Sequence, residues 1–178
     1  MITFDDVIVR PFTAADTLLL NHHFLSEAYS NGKTWEGVDQ YEVRCGIAGQ
    51  IKAAQLLAVD PFADNAPGYD FVIEGRRVDA KTFAVRASGM VSLQWSAIVH
   101  EDDFRKSDVD EYLFCAVNLD LKRWWGVGHL ARTDFKQIAD RYMAGDRFSS
   151  GGLVRKDCWA VRYESLYSLL TANWWRSF

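Results

Sequence analysis

The chain of 178 residues is 49% hydrophobic and has no repeat or low-complexity tract, which excludes a disordered or fibrous protein and favours one domain over residues 1–178. Its first residues do not form a basic region followed by an apolar run, and no uncharged apolar stretch could cross a bilayer, so we expect a cytoplasmic protein without membrane contact. The net charge of −4 is unevenly distributed along the chain. Residues 1–120 contain 10 basic and 19 acidic residues (−9), whereas residues 121–178 contain 10 basic and 5 acidic residues (+5). The basic segment 121–178 could form a surface for a phosphate backbone or carry scattered solvated charges.

The first elements are predicted to be a short strand and a capped helix. Residues 3–10 alternate weakly, as a half-buried strand does, and Pro11 is expected to interrupt that strand. Thr13 followed by Asp16 indicates the start of an amphipathic helix, which should end before Ser30.

A second helix is expected over residues 38–58. Apolar residues recur there at helical spacing and should form its buried stripe: Ile47, Ile51, Ala54 and Leu57 or Ala58. Gly46 and Gly49 each cost about 1 kcal/mol relative to alanine in a helix. A close approach of this helix to the sheet, or of substrate backbone to the helix, would explain both glycines.

Residues 68–82 are predicted to form a tight β-hairpin with Glu74–Gly75 as its two-residue turn. In that register Asp70 lies opposite Asp79. Because side chains alternate along a strand, Lys81 shares the face of these two acids. The other face carries four apolar side chains: Phe71, Ile73, Val78 and Ala80.

The opposed acids of the hairpin indicate a cation site. Like charges directly across a hairpin repel, so Asp70 and Asp79 need a compensating cation; Lys81 supplies one charge, and a divalent metal ion would supply the rest. Two carboxylates with water and phosphate oxygens form a usual shell for Mg²⁺, which suits phosphodiester hydrolysis, with Lys81 on the attacking water or the phosphate. The alternative is an exposed hairpin whose acids pair with Arg76, Arg77 and Lys81 as surface charges.

The remaining chain is predicted to alternate strands, loops and helices. In order, these begin with a strand at 83–95, a solvated acidic loop at 101–111, a fully buried central strand at 111–118 and a returning strand at 124–131. They continue with a helix at 134–144 capped by Thr133 and ended by Gly145, a loop near substrate at 149–152, a short strand at 158–162 and a closing helix at 163–175. A solvated loop at 101–111 is favoured over a second metal site, because no ligand spacing repeats there.

Tryptophans and cysteines add expectations about the core. Trp124 and Trp125 point to opposite sides of the chain, so one is expected in the core and the other near the surface. Core filling is favoured over a base-stacking platform or a dimer interface, although the exposed member of Trp174–Trp175 favours self-association as a homodimer. The cysteines are odd in number and widely spaced, which predicts buried reduced thiols: Cys45, Cys115 and Cys158.

The order of these motifs resembles the PD-(D/E)xK nuclease superfamily, whose fold is restriction-endonuclease-like. An acid at the start of one strand, Asp70, and an acid-x-lysine on the next, Asp79-Ala80-Lys81, follow a helix that carries residues 46–50. The resemblance implies an α/β fold with a mixed central β-sheet flanked by helices. It also implies a DNA substrate.

The resemblance implies roles for the site residues and a cofactor. Asp70, Asp79 and the Ala80 carbonyl would bind Mg²⁺, with Mn²⁺ as a substitute, and Lys81 would position the attacking water.

The preceding helix departs from the family pattern at Gln50. Relatives commonly bring an acid to the metal at this position, directly after a Gly-x-x-Gly, so Gln50 is expected to contribute to the site, with Glu42 as the alternate residue. Because of this departure, the alternative function is a catalytically inactive nuclease fold that binds nucleic acid or serves assembly. A small-molecule enzyme on an unrelated α/β fold is a third interpretation, but the chain has no phosphate-cradling glycine-rich loop to support it.

Overall fold

The computed structural model describes residues 2–30, 39–62, 68–86, 89, 91–106 and 108–171, which form a mixed α/β fold with two β-sheets. The strands in these ranges are β1 (Ile8–Pro11), β2 (Phe71–Ile73), β3 (Arg76–Ala84), β4 (Ser96–His100), β5 (Glu111–Asn118), β6 (Arg123–Ala131), β7 (Asp140–Tyr142) and β8 (Cys158–Arg162). The α-helices are α1 (Ala14–Ser30), α2 (Gln40–Leu57), α3 (Glu101–Lys106) and α4 (Arg132–Ile138), with short 3-10 turns at Phe4–Asp6 and Tyr163–Ser165. None of the helices described is long and apolar enough to span a bilayer.

The larger sheet is mixed, with strand order β1-β6-β5-β3-β2. β3 and β5 pair in parallel, whereas the other neighbours pair antiparallel. Every residue of β5 is buried, which confirms the predicted central strand at 111–118. The smaller sheet is antiparallel, with order β4-β8-β7. An α/β fold with a mixed sheet and helices is therefore confirmed, while a restriction-endonuclease-like core stays a prediction.

Helix α2 packs closely on β3 through Gly49. A Cβ added to Gly49 would clash with the Thr82 side chain, so only glycine at this position lets the helix pack this closely on the strand. This contact confirms the expected close approach of the helix to the sheet. A Cβ added to Gly46 would meet no atom within 4 Å, so contact with the sheet does not explain that glycine. The predicted stripe of α2 is buried: Ile47, Ile51, Ala54 and Leu57.

Both faces of the larger sheet are covered. Trp124 packs on the face that α2 covers, and Trp125 packs on the opposite face, where α3, α4 and the smaller sheet close the core. Their exposed fractions are 0% and 5%. The expectation that one of these tryptophans stays near the surface is therefore wrong, because each side of the sheet has its own core. The three cysteines are buried and free, as predicted: Cys45, Cys115 and Cys158.

The first helix begins as predicted, but the first strand does not end as predicted. The Thr13 N–H donates to Asp16 Oδ2 at 2.6 Å, and the Asp16 N–H donates to Thr13 Oγ1 at 3.2 Å, which is a reciprocal cap of α1. Pro11 does not interrupt β1; it is the last residue of that strand and pairs with Arg123. β1 is an edge strand, where the missing N–H of proline is tolerated.

Two predicted segments between residues 83 and 111 differ from the structure. The predicted strand at 83–95 is wrong, because β3 ends at Ala84 and β4 begins at Ser96. The acidic segment 101–111 is not a solvated loop, because it begins with α3 and Glu111 is the buried first residue of β5. Tertiary packing of α3 against the smaller sheet, rather than local charge, decides the conformation of this segment.

The predicted helix at 134–144 is shorter than expected. α4 ends at Ile138, and its N-cap is Ala131 rather than Thr133. The following residues form β7, in which Tyr142 pairs with Cys158 of β8. Strand pairing therefore overrides the helical pattern of this segment.

The predicted closing helix at 163–175 is absent from the described part of that segment. After the turn at Tyr163–Ser165, Tyr167 and His129 exchange two backbone hydrogen bonds of 2.9 and 3.0 Å. This bridge holds the chain beside β6 and prevents a helix there. The pair Trp174–Trp175 lies outside the described residues.

Candidate functional site

The hairpin that carries the predicted acids closes through a two-residue turn. Glu74 and Gly75 both have positive φ, 50° and 79°, as a type I′ turn requires. Phe71–Ile73 pairs with Arg76–Val78 in the predicted register. The turn therefore fixes which side chains of the two strands face each other.

The two faces of the hairpin separate apolar from charged side chains. Phe71, Ile73 and Val78 are buried in the core beneath α2. Asp79 and Lys81 alternate with these positions on β3 and point to the opposite face of the sheet. The predicted division of the hairpin into an apolar and a charged face is confirmed.

Asp70 and Asp79 lie close together at the open end of the hairpin. Asp70 Oδ2 accepts a hydrogen bond from the Ala80 N–H at 2.8 Å, which fixes the carboxylate against β3. Burial first, and then the charge of Asp79, raise the pKa of Asp70 to about 7. Burial also raises the pKa of Asp79, although Lys81 opposes this effect. Lys81 therefore does not fully neutralise Asp70 and Asp79. Carboxylates in this condition tend to bind a cation or a proton.

Lys81 lies between two carboxylates. Its Nζ atom is 2.9 Å from Asp79 Oδ2 and 3.0 Å from Asp103 Oδ2 of α3. Burial alone would lower the pKa of Lys81, but the two carboxylates outweigh it and raise that pKa above its ordinary value. The ammonium is therefore charged and held from two sides.

The arginines of the hairpin pair with acids outside it. Arg77 Nε lies 3.0 Å from Asp110 Oδ2, and Arg77 also contacts Asp108. Arg76 Nη1 lies 3.7 Å from Glu111 Oε2. The alternative in which both arginines neutralise the hairpin acids is therefore not observed; Lys81 is the hairpin cation that does so.

The two helix residues proposed for the site make other contacts. Gln50 Nε2 donates to Pro61 O at 2.8 Å. The Glu42 side chain is 52% exposed and lies 3.5 Å from Arg155 Nη1. The structure thus brings four of the predicted site residues together, namely Asp70, Asp79, Ala80 and Lys81. The roles of Gln50 and Glu42 at a metal ion stay predictions.

The oxygen donors of the hairpin suit Mg²⁺ as a partial shell. Two carboxylates and a backbone carbonyl are hard ligands, and Mg²⁺ usually keeps several waters and takes phosphate oxygens from its substrate. Across the described ranges, no group of three or more His, Cys, Asp or Glu side chains is arranged to hold a metal ion by itself. A metal ion at the hairpin would therefore depend on oxygen atoms of water and substrate.

Two residues beside the hairpin were missed from the sequence, Asp103 and His100. His100 is the last residue of β4, and the charges of Asp103, Lys156 and Lys81 act on it, while burial is the largest cause of its lowered pKa. No local pattern could have identified either residue, because α3 and β4 reach the hairpin through tertiary packing. Lys156 belongs to the basic segment 121–178, and its charge acts on His100 beside the charged cluster of Asp70, Asp79, Lys81 and Asp103.

The loop predicted to lie near substrate borders a separate polar pocket. Ser149 and Ser150 line this pocket of about 200 Å³ together with Gln94 and Arg162. Arg162 lies 3.3 Å from Glu164, so part of its charge is already compensated. Contact of this loop with a substrate stays a prediction.

Comparison of the chain with protein-family models and with curated proteins gives no match. The resemblance to the PD-(D/E)xK superfamily therefore depends on the motif residues themselves. A function for the chain has to be inferred from the geometry of the hairpin and its neighbours.

Proposed function

We propose that this chain is a metal-dependent nuclease that hydrolyses DNA phosphodiester bonds on a restriction-endonuclease-like core. The observation that carries the proposal is the placement of Asp70 and Asp79 on one face of the hairpin, with Lys81 Nζ 2.9 Å from Asp79 Oδ2. An acid on one strand and an acid-x-lysine on the next is the pattern of the PD-(D/E)xK superfamily, and here both strands belong to one hairpin.

Each residue of the hairpin has a distinct task in this proposal. Asp70, Asp79 and the Ala80 carbonyl would hold Mg²⁺ or Mn²⁺, which when bound would acidify the attacking water and neutralise charge on the phosphate. The Ala80 N–H keeps the Asp70 carboxylate in place. Lys81, which is charged, would donate a hydrogen bond to the attacking water or to an oxygen of the phosphate.

Positive charge near the hairpin supports DNA as the partner. Lys156 is close enough to His100 for its charge to act there, and His100 in turn lies near Lys81. A backbone phosphate beside the hairpin acids would contact Lys81, and Lys156 would add longer-range attraction. Homodimer formation and a cytoplasmic location belong to the same proposal, and the buried free cysteines fit a reducing compartment.

A binding or assembly module without catalysis is the second candidate. It is favoured by the contacts of α2, since Gln50 bonds to Pro61 and Glu42 pairs with Arg155 rather than with the hairpin. In this arrangement α2 adds no acid to Asp70 and Asp79. A weak metal site would then serve binding of nucleic acid without turnover.

Cleavage of plasmid, single-stranded and branched DNA with Mg²⁺ or Mn²⁺ tests the proposal. We expect the wild-type protein to cleave at least one of these substrates with metal and none in EDTA, and Asp79→Ala to be inactive. Asp108→Ala is the matched control, because Asp108 is an exposed acid that contacts Arg77 outside the cluster. A folded wild-type protein that binds DNA but cleaves none of the three substrates would favour the inactive module.

A further inference from the structure

An exposed aromatic side chain lies next to the charged cluster on β3. Phe83 follows Lys81 by two residues, so its ring points to the face that carries Asp79 and Lys81. Phe83 is 38% exposed, although the next residue on this face, Val85, is buried in the core. An exposed aromatic side chain, Phe83, therefore lies directly beside the charged side chain of Lys81 on this face of β3.

Trp95 supports the Phe83 ring from the core side. The two ring centroids lie 5.2 Å apart with an interplanar angle of 45°, and Trp95 is partly buried against the core. A tilted contact of this kind fixes Phe83 and leaves part of its ring surface open. Phe83 differs in this respect from aromatic residues of the adjacent core, which are buried: Tyr112, Phe114 and Phe135.

The spacing between Lys81 and Phe83 fits one nucleotide. Two residues of a β-strand span about 6.6 Å. A phosphate that contacts Lys81 would therefore leave its own base, or the adjacent base, within reach of the Phe83 ring. Every base offers a π face, so such a contact would carry no sequence preference.

We propose that Phe83, supported by Trp95, stacks on an unpaired nucleobase next to the scissile phosphate, which makes single-stranded or locally unpaired DNA the substrate class. This inference rests on the proposed nuclease function, because it takes the scissile phosphate to lie at Lys81. Bases of an intact duplex are already stacked and paired, and taking one out of the stack has an energetic cost. Duplex DNA would therefore gain little from Phe83.

Binding of fluorescein-labelled DNA, followed by anisotropy in EDTA, tests the stacking contact without cleavage. The probes are a mixed-sequence single strand of about 20 nucleotides and the same strand annealed to its complement. This length exceeds the roughly 4–16 nucleotides that one single-strand-binding OB fold covers. Phe83→Leu keeps an apolar side chain but removes the ring, Phe83→Tyr keeps the ring, and Val72→Ala alters an exposed apolar residue elsewhere on the hairpin. Circular dichroism verifies that each variant is folded.

We expect Phe83→Leu to bind the single strand about tenfold more weakly, and Phe83→Tyr and Val72→Ala to bind it within about twofold of the wild-type protein. Duplex binding should change by less than about twofold in all variants. Equal affinity of wild type and Phe83→Leu for the single strand would overturn the stacking contact.

Cleavage of the same labelled strand in Mg²⁺ separates this inference from the proposed function. If the wild-type protein cleaves the strand but Phe83→Leu binds it normally, the stacking contact is overturned and the nuclease function stands. Ring-dependent binding without cleavage of this strand, of plasmid or of branched DNA would support the contact and overturn the nuclease. A wild-type protein that does not bind the strand and cleaves none of the three kinds of DNA would overturn both.

Discussion

Lys81 and Asp103 are joined at 3.0 Å between Nζ and Oδ2, a contact that ties the hairpin to α3. The second carboxylate beside this ammonium is Asp79, which the proposed function assigns to the metal ion. When Asp79 binds a metal ion, Asp103 would keep the Lys81 ammonium in place. Asp103 is therefore a positioning residue, whose loss should affect turnover more than DNA binding.

Asp103→Asn should lower kcat about tenfold and leave KM for DNA unchanged, because Lys81 becomes less well fixed while the contacts to DNA remain. Steady-state cleavage kinetics measure both constants. Asp103→Glu should recover most of the activity, and Asp102→Asn, an exposed neighbour on α3, is the matched control. An unchanged kcat in Asp103→Asn would show that Asp79 alone positions Lys81.

Asp70→Asn should stabilise the metal-free protein. The amide keeps an oxygen for the Ala80 N–H but removes a partly buried negative charge beside Asp79, so the free energy of unfolding at pH 8 should rise by about 1–3 kcal/mol. Thermal denaturation with and without Mg²⁺ checks this expectation. Mg²⁺ should raise the melting temperature of the wild-type protein more than that of the variant. Equal responses to Mg²⁺ would remove Asp70 from the metal site.

If the Gln50 position faces the metal ion, Gln50→Glu should tighten Mg²⁺ binding, while Glu42→Gln should leave it unchanged. A glutamate cannot donate to the Pro61 carbonyl, so the side chain is released from that contact and adds a negative charge to α2. Glu42 is exposed beside Arg155, and about 12 Å of helix separates it from Gln50. Calorimetric titration of Mg²⁺ into the three proteins compares them. Loss of binding in Glu42→Gln would move the helix acid to Glu42, and no binding in any protein would favour the inactive module.

Asp16→Ala should destabilise the fold by about 3–5 kcal/mol, because it leaves the buried Lys52 ammonium without the Asp16 carboxylate, while the neutral Gln55 Oε1 still accepts from it. Lys52 Nζ lies 2.6 Å from Asp16 Oδ2, and both side chains are at most 5% exposed. Chemical denaturation measures the loss, and Asp16→Ala with Lys52→Met should regain most of it. A single variant as stable as the wild-type protein would contradict this account of how α1 is held on α2.

The same ion pair predicts how stability changes in acid. Burial alone would raise the pKa of Asp16, but hydrogen bonds from Lys52, Thr13 and Gln55 outweigh it and lower that pKa to about 2. A carboxylate with a lowered pKa in the folded state stabilises above its ordinary value of 3.8, and the stabilisation is lost as the pH falls towards 2. Denaturation curves across this range should show a larger loss in the wild-type protein than in Asp16→Ala, which keeps other carboxylates of lowered pKa, including Asp39 and Asp110.

The hairpin could be predicted from the sequence because its signals are local. Glu74–Gly75 sets the turn, and alternation along two short strands then fixes the partners of Asp70 and Asp79. The tight approach at Gly49 was also predictable, since a glycine within a helix needs a reason. The hairpin features depend on residues that are close together in the chain, whereas the contact partner of Gly49, Thr82, lies in another element.

The parts that were predicted wrongly depend on distant contacts. Asp103 reaches Lys81 across 22 residues, and nothing in the acidic run around it distinguishes it from its neighbours. β7 forms because β8 offers a partner, and Trp125 is buried because the smaller sheet and two helices cover it. Local periodicity carries no information about which element will cover a given face.

The single-turnover rate of DNA cleavage by wild type and Asp79→Asn tests the nuclease proposal most directly. Asp79→Asn keeps the shape of the side chain but removes the negative charge that a metal ion needs, and Asp108→Asn makes the same change at an exposed acid outside the cluster. With saturating Mg²⁺, we expect the Asp79→Asn rate to fall at least about 1,000-fold and the Asp108→Asn rate to stay within about twofold of wild type. Equal rates for the wild-type protein and Asp79→Asn would contradict the assignment of the hairpin as the catalytic site.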